Sequence, residues 1–255
     1  MLKRLQLIIA YDGTNYHGFA KQINAVTIQE ILEKAIENLT GQKVHVMASG
    51  RTDAGVHAMA QCCVVDVETS IPEGQFARAL NARLPHDIVI KESCEVRADF
   101  HPRYMAKKKT YRYQIFTGAT RDPFIDKYVY FYPRKLDILR MQEAAKYIEG
   151  THDFKCFCAS GSAVKDTVRT VYSLEIKREG EMIALEVCGN GFLYNMVRII
   201  TGTLIEVGRG RFEPEHVKKV IQSGERELGG PTAPAEGLIL KEVFYEDDLR
   251  YDIHK

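Results

Sequence analysis

Residues 44–69 read "VHVMASGRTDAGVHAMAQCCVVDVET", and the segment after the glycine-flanked turn in this stretch decides the fold. Upstream of the turn, Val44, Val46 and Ala48 alternate as a half-buried strand does. Downstream, the apolar, β-branched run from Ala58 to Thr69 predicts a buried strand. Gly50 and Gly55 have the spacing of a phosphate loop, but Val56 and His57 stand where such a loop needs Lys then Ser or Thr. A phosphate loop would also feed an amphipathic helix, and here a second strand comes next. Nucleotide triphosphate binding is therefore rejected. Two readings of the turn stay open on the residues alone. Its glycines supply positive φ around a surface Arg51–Asp53 ion pair, or it presents Arg51 and Asp53 from a strand end for chemistry.

Outward from this turn, strands and helices intersperse. Residues 4–11 predict a strand, with turn signals at Asp12-Gly13 and Gly18. The stretch "TIQEILEKAIENLTG" predicts a helix with Thr27 and Glu30 as a capping box, one apolar stripe through Ile28, Ile31, Leu32, Ala35, Ile36 and Leu39, and a stop at Gly41. Pro72 starts a short helix, and "DIVIKESCEV" is a further strand. The segment "FHPRYMAKKKTYRYQIF" marks a junction between halves, at residues 1–104 and 105–255, and leads into a long alternating strand. Then come a helix from near Asp137 to Gly150, a hairpin turning at Glu179-Gly180, a buried helix over "FLYNMVRIITGTLIEVG", a short helix opened by Pro214, and a final strand in "GLILKEVFYE". An α+β fold with an antiparallel or mixed sheet in each half fits this order.

The chain has 255 residues, enough for one large or two small domains. Its N-terminal apolar run is short, contains Gln6 and ends at Asp12, so a first strand is expected rather than a signal peptide. The most apolar stretch is interrupted by Arg198 and is too short to span a bilayer. Six cysteines in a chain of this size predict reduced thiols and a cytoplasmic protein. The net charge is only +1, but residues 97–112 hold a local +5 and residues 213–255 a local −4. A near-neutral total thus hides a basic segment that fits a polyanion or a lysine-protected strand edge.

Metal chemistry finds little support. His152, Cys156 and Cys158 match no standard zinc spacing, and small thiols packed beside Phe154 and Phe157 are expected instead. Cys62, Cys63 and Cys188 lie in apolar strand patterns, where thiols are inert. The interleaved "KKKTYRYQIF" places Tyr111, Tyr113 and Ile115 on one strand face and Arg112 and Gln114 on the other. Such a strand binds unstacked bases and phosphates, or its tyrosines are simply core. The residues themselves therefore reach a cytosolic α+β protein, with RNA binding and the purpose of the Arg51–Asp53 turn both open.

"SGRTDAGVHA", "FHPRYMAKKKTYRY", "GTHDF", "GFLYNMVRIITGTLIEVG" and "GPTAPAEGLIL", in that order and over nearly the whole chain, closely resemble the TruA family of tRNA pseudouridine synthases. "YDGTNYHGF" and "DPF" at 122–124 agree. The resemblance implies isomerisation of uridine to pseudouridine in the anticodon stem-loop, at tRNA positions 38–40. It implies two α+β domains of ferredoxin-like type with a basic cleft between them, no cofactor, no catalytic metal, and a homodimer that binds tRNA. Asp53 matches the family's catalytic aspartate, Arg198 its arginine partner, and Tyr111 the tyrosine that stacks on the target uracil. Arg51 matches the motif arginine that holds the flipped nucleotide, and Leu238 an apolar residue beside the base. Arg103, Lys107, Lys108, Lys109 and Arg112 are expected to contact phosphates from their charge and position, and His57 to orient the motif loop or support it structurally. The chain departs from the family in lacking tryptophan, in "HGFAKQ" after the first strand, in Pro102, and in Cys156 and Cys158. Alternatives are a non-catalytic RNA-binding or RNA-folding protein, and a divergent paralogue with another set of uridines.

Overall fold

A computed structural model describes residues 2–161 and 164–246 of the chain. The described residues pack as two compact units, one of residues 2–107 and 240–246, the other Lys108–Ile239.

The first unit opens with β1 (Leu2–Tyr11). Leu5, Leu7, Ile9 and Tyr11 alternate into the core, as the two-residue strand period requires. Helix α1 (Ile28–Thr40) comes next. The Thr27 hydroxyl accepts from the Glu30 N–H at 3.4 Å, so the hydroxyl half of the expected cap is formed, and Gly41 ends the helix in the left-handed region. Ile28, Leu32, Ala35 and Ile36 form its buried face.

Strand β2 (Met47–Ala48) is shorter than its alternation predicts. The reason is local: the Val46 N–H donates to Glu33 Oε1 of α1 at 3.1 Å instead of joining a ladder. Strand β3 (His57–Glu68), helix α2 (Glu73–Asn81) and strand β4 (Ile88–Glu95) complete the N-terminal part, close to the expected positions. β1 lies antiparallel between β3 and β4, with Leu7 opposite Cys63 and Ser93.

The second unit begins with β5 (Lys108–Phe116), then β6 (Tyr130–Phe131), which pairs parallel to it. Helix α3 (Ile138–Ala145) is capped by the Asp137 carboxylate and ends five residues before Gly150. Its last turn tightens: Tyr147 and Ile148 donate to the carbonyls three residues back, and Ile148 is buried. Gly150 then opens β7 (Gly150–Asp153), a strand outside the expected elements.

β8 (Val168–Glu179) and β9 (Met182–Gly189) form the expected hairpin. The antiparallel order is β5–β9–β8–β7, with Tyr113 opposite Leu185. Helix α4 (Met196–Gly208) starts four residues later than the apolar pattern suggests, because Asn195 has φ +59° and cannot continue a right-handed helix. Short helix α5 (His216–Ser223) buries Val217 and Val220. The last strand, β10 (Leu238–Phe244), begins in the second unit and from Leu240 belongs to the first, where it lies beside β3. There Val243 and Tyr245 pack on a cluster of Cys62, Val64, Val96 and Phe100. The α+β reading with antiparallel and mixed pairing holds. Among the described residues no helix is long and apolar enough to cross a membrane.

α4 and the loop after α5 meet backbone to backbone. A Cβ on Gly202 would lie 1.8 Å from the Pro231 carbonyl oxygen. Gly202→Ala must push that loop off the helix, and a loss of about 1–3 kcal/mol is expected from such overpacking. Urea denaturation of the two proteins measures it, and an unchanged midpoint would show that the loop yields freely.

Candidate active site

The stretch between β2 and β3 is held from several directions within the first unit. The Ser49 N–H donates to the Cys62 carbonyl at 2.8 Å, the Ser49 hydroxyl to Gln61 Oε1 at 2.5 Å, and Gln61 Nε2 to the Gly50 carbonyl at 2.8 Å. Thr52 turns inward, and its hydroxyl bonds the Tyr11 hydroxyl at 2.8 Å. The Thr52 carbonyl accepts from the Phe19 N–H at 3.0 Å. The Val56 N–H closes a turn onto the Asp53 carbonyl at 3.1 Å, with Gly55 at φ +77° in its third position, as a type II turn requires. Of the two glycines in the motif only Gly55 has a positive φ, so the expectation that both supply one is half right. These bonds hold the backbone of the stretch at both ends and in its middle. Arg51 is left exposed and Asp53 half-buried.

His57 anchors the neighbouring loop. It is 2% exposed, and its Nδ1 accepts from the Gly13 N–H at 3.0 Å. The Asp12 carboxylate lies 3.2 Å from the same nitrogen, an ion pair only when the imidazole is protonated. It also accepts from the Thr14 N–H at 3.0 Å and from its hydroxyl at 2.5 Å.

In the second unit the aromatic face of β5 grades from core to surface. Tyr113 and Ile115 are fully buried, and the Tyr113 hydroxyl donates to the Pro234 carbonyl at 2.8 Å. Burial, with Glu236 adding to it, raises the Tyr113 phenol well above its ordinary range, while the Arg198 cation pulls it down. Tyr111, two residues earlier, is only half-buried, with its ring edge-to-face on Phe192 at 5.2 Å. Arg198 is the one residue of α4 that is not fully buried. Its Nε donates to the Ala233 carbonyl at 2.7 Å, its own carbonyl accepts from the Ala233 N–H at 3.1 Å, and its Nη1 donates to Asn195 Oδ1 at 2.9 Å. Leu238 is 6% exposed just past this loop. Tyr113 and Arg198 thus share one loop as their partner, and Asn195 and the loop carbonyls are what residue patterns alone do not reveal.

The residues of the basic segment differ in exposure. Arg103 and Lys108 are exposed, and Lys109 is half-buried. Lys107 pairs with Glu246 at 2.8 Å. The Arg112 guanidinium lies on Glu186 across β5 and β9, at 2.7 Å from Nε and 2.5 Å from Nη2.

A family model described as tRNA pseudouridine synthase matches residues 7–105 and 144–246. A protein named tRNA pseudouridine synthase A from Acetivibrio thermocellus is 49% identical over 96% of this chain and all of its own length. Proteins of the same name from Geobacillus kaustophilus and Syntrophomonas wolfei are 46% and 45% identical over 97% and 98% of this chain, and over 96% and 100% of their own. The chain belongs to the tRNA pseudouridine synthase family. Members of that family are isomerases, and their reaction converts uridine to pseudouridine in tRNA. A solved chain of a Cbf5-Nop10-Gar1 complex aligns with 94% of this synthase and 59% of its own length, at 14% identity and a TM-score of 0.34, a likeness too slight to add to the fold.

In this synthase Cys156 is buried beside Phe154 and Phe157, as the sequence suggests, and burial pushes its thiol up to about 11. His152 Nε2 bonds the Glu149 carbonyl at 2.9 Å. Among the described residues no group of three or more His, Cys, Asp or Glu side chains is placed to hold a metal ion.

Gly18 is the residue on which the motif loop leans. It has φ +86°, and a Cβ there would lie 2.5 Å from the Thr52 carbonyl oxygen. Gly18→Ala is expected to displace residues 52–54 and to slow pseudouridine formation by roughly a hundredfold, the cost of moving a reacting group by about 1 Å. Single-turnover assays on tRNA check this, and wild-type rates would show that the loop tolerates the shift.

Proposed function

We propose that this synthase isomerises uridines at positions 38–40 in the anticodon stem-loop of tRNA, with Asp53 as the essential carboxylate. The observation that carries the reading is the clamped turn on which Asp53 stands half-buried, because a reacting group must be held still while its substrate is moved. The reaction breaks the bond from uracil N1 to ribose C1′, turns the base over, joins C5 to C1′ and releases the C5 proton. A carboxylate serves by adding to the base, by attacking the sugar, or by taking the C2′ proton, and every one of these routes requires it ionised. Out of water an unpaired carboxylate would hold its proton, so a cation must accompany it. Arg198 takes that role.

Tyr111 stacks on the target uracil and assists removal of the C5 proton. Its half-buried ring, braced edge-on by Phe192, supports this. Arg51 holds the flipped nucleotide, which must leave its stack before the reaction can begin. Leu238 lies against the base. Arg103, Lys107, Lys108, Lys109 and Arg112 contact phosphates. For Lys107 and Arg112 this means exchanging a carboxylate partner for a phosphate. The synthase acts as a homodimer in the cytoplasm. Its six free cysteines suit a reducing compartment.

Anticodon stem-loop RNA carrying 5-tritiated uridine tests the chemistry. Asp53→Asn is expected to lower tritium release by at least about a hundredfold. Release at the wild-type rate would overturn the assignment. Lys108→Ala is expected to weaken RNA binding and to reduce the salt slope of the binding constant by about one. Asp53→Asn should leave that slope unchanged, and a fluorescence titration across salt concentrations separates the two effects.

A further inference from the structure

We propose that Tyr104 is a platform on which an unpaired base of the RNA stacks. The proposal deepens the reading of the basic segment as RNA-binding and rests on it. Tyr104 is 79% exposed, whereas a tyrosine ordinarily buries most of its ring. The ring is also backed. It lies over His101, with ring centroids 4.2 Å apart and planes inclined at 35°. One side of the phenol is thus supported by an imidazole, and the exposure of the side chain leaves the rest of the ring in water.

The turn beneath the pair holds it in place. The Met105 N–H donates to the His101 carbonyl at 3.1 Å, and the N–H groups of Arg103 and Tyr104 donate to His101 Nδ1 at 3.2 and 3.4 Å. These bonds fix the imidazole against the main chain of the residue whose ring it supports. Pro102 is buried, and its carbonyl accepts from the Tyr245 hydroxyl at 2.7 Å. Met105 packs on the cluster of Cys62, Val64, Val96 and Phe100. The turn is therefore anchored on both sides of Arg103 and Tyr104, the two residues that it exposes. A flat ring beside a cation suits a nucleotide, whose base stacks while its phosphate meets the charge. A ring already held loses little freedom when a base settles on it. The local charge of +5 over residues 97–112 favours a polyanion here over an apolar protein surface.

The test uses the full-length protein and two RNAs with the same number of phosphates, an anticodon stem-loop and a fully paired duplex. Tyr104→Ala is expected to bind the stem-loop about tenfold more weakly. Its affinity for the duplex, which offers no unpaired base, should match that of the wild type. Tyr104→Phe keeps the ring and should bind the stem-loop within about twofold of the wild type. Tyr104→Leu, apolar but not flat, should behave as Tyr104→Ala. The salt slope of the binding constant should stay the same in all three, since stacking releases no counterions. Wild-type affinity of Tyr104→Ala for the stem-loop would overturn the proposal. An equal loss on both RNAs would do so too, as the mark of a merely structural role, and so would a Tyr104→Leu protein that binds as tightly as Tyr104→Phe. If the basic segment does not meet RNA at all, Lys108→Ala leaves the salt slope unchanged, and that result is read from a different protein.

Discussion

A guanidinium on an otherwise buried helix must find its partners inside the protein, and Arg198 finds them in one loop and one neighbouring side chain. The exchange with Ala233 is reciprocal: the side-chain Nε donates to the Ala233 carbonyl, and the Arg198 carbonyl accepts from the Ala233 N–H. Such a pair fixes the loop and the side chain against each other. The approach is close only because Gly202 and Gly230 carry no side chains where the loop meets α4, and the Gly230 N–H adds a bond to the Thr203 hydroxyl at 2.9 Å. From this seam the loop reaches β5, where it receives the Tyr113 hydroxyl at Pro234 and the Gln114 N–H at Gly237. A half-buried charge that would be costly on the helix alone becomes the pin that joins helix, loop and strand.

The first unit solves the same problem with the opposite chemistry. There the group to be held is the backbone beneath a carboxylate, and the constraint comes from Gly18, Tyr11, Gln61 and the Gly55 turn. Thr52 turns into the core, while Arg51 is exposed and Asp53 half-buried, so neutral groups hold the main chain on either side of the carboxylate.

The elements with a strong period were legible in the sequence. The stripe of α1, the alternation of β1 and β5, and the β8–β9 hairpin all come from patterns of two or of three to four residues. The failures share a cause. β2 lost its ladder to a carboxylate on α1, α3 closed early through a tight last turn, and α4 began late at a left-handed asparagine. Each is decided by a contact or a single dihedral that composition does not encode. The site shows the same split. Asp53, Tyr111 and Arg198 were named from motifs, but the bond of Arg198 to Ala233 and the close approach of Gly18 to Thr52 join residues distant in the chain.

The near-neutral charge of the chain bears on how a polyanion is recognised. Arg112 and Lys107 already have acidic partners, Glu186 and Glu246, at ion-pair distance. A phosphate that approaches either must displace a carboxylate, so the gain is a difference between two pairings rather than a full charge neutralised. Exposed pairs such as Lys107–Glu246 are worth little and give way easily. The Arg112–Glu186 pair is half-buried and held by two nitrogens, which makes its exchange harder and more dependent on geometry. For a chain of net charge +1, a polyanion meeting this segment would bind in part by exchanging partners with these carboxylates rather than by bulk attraction alone.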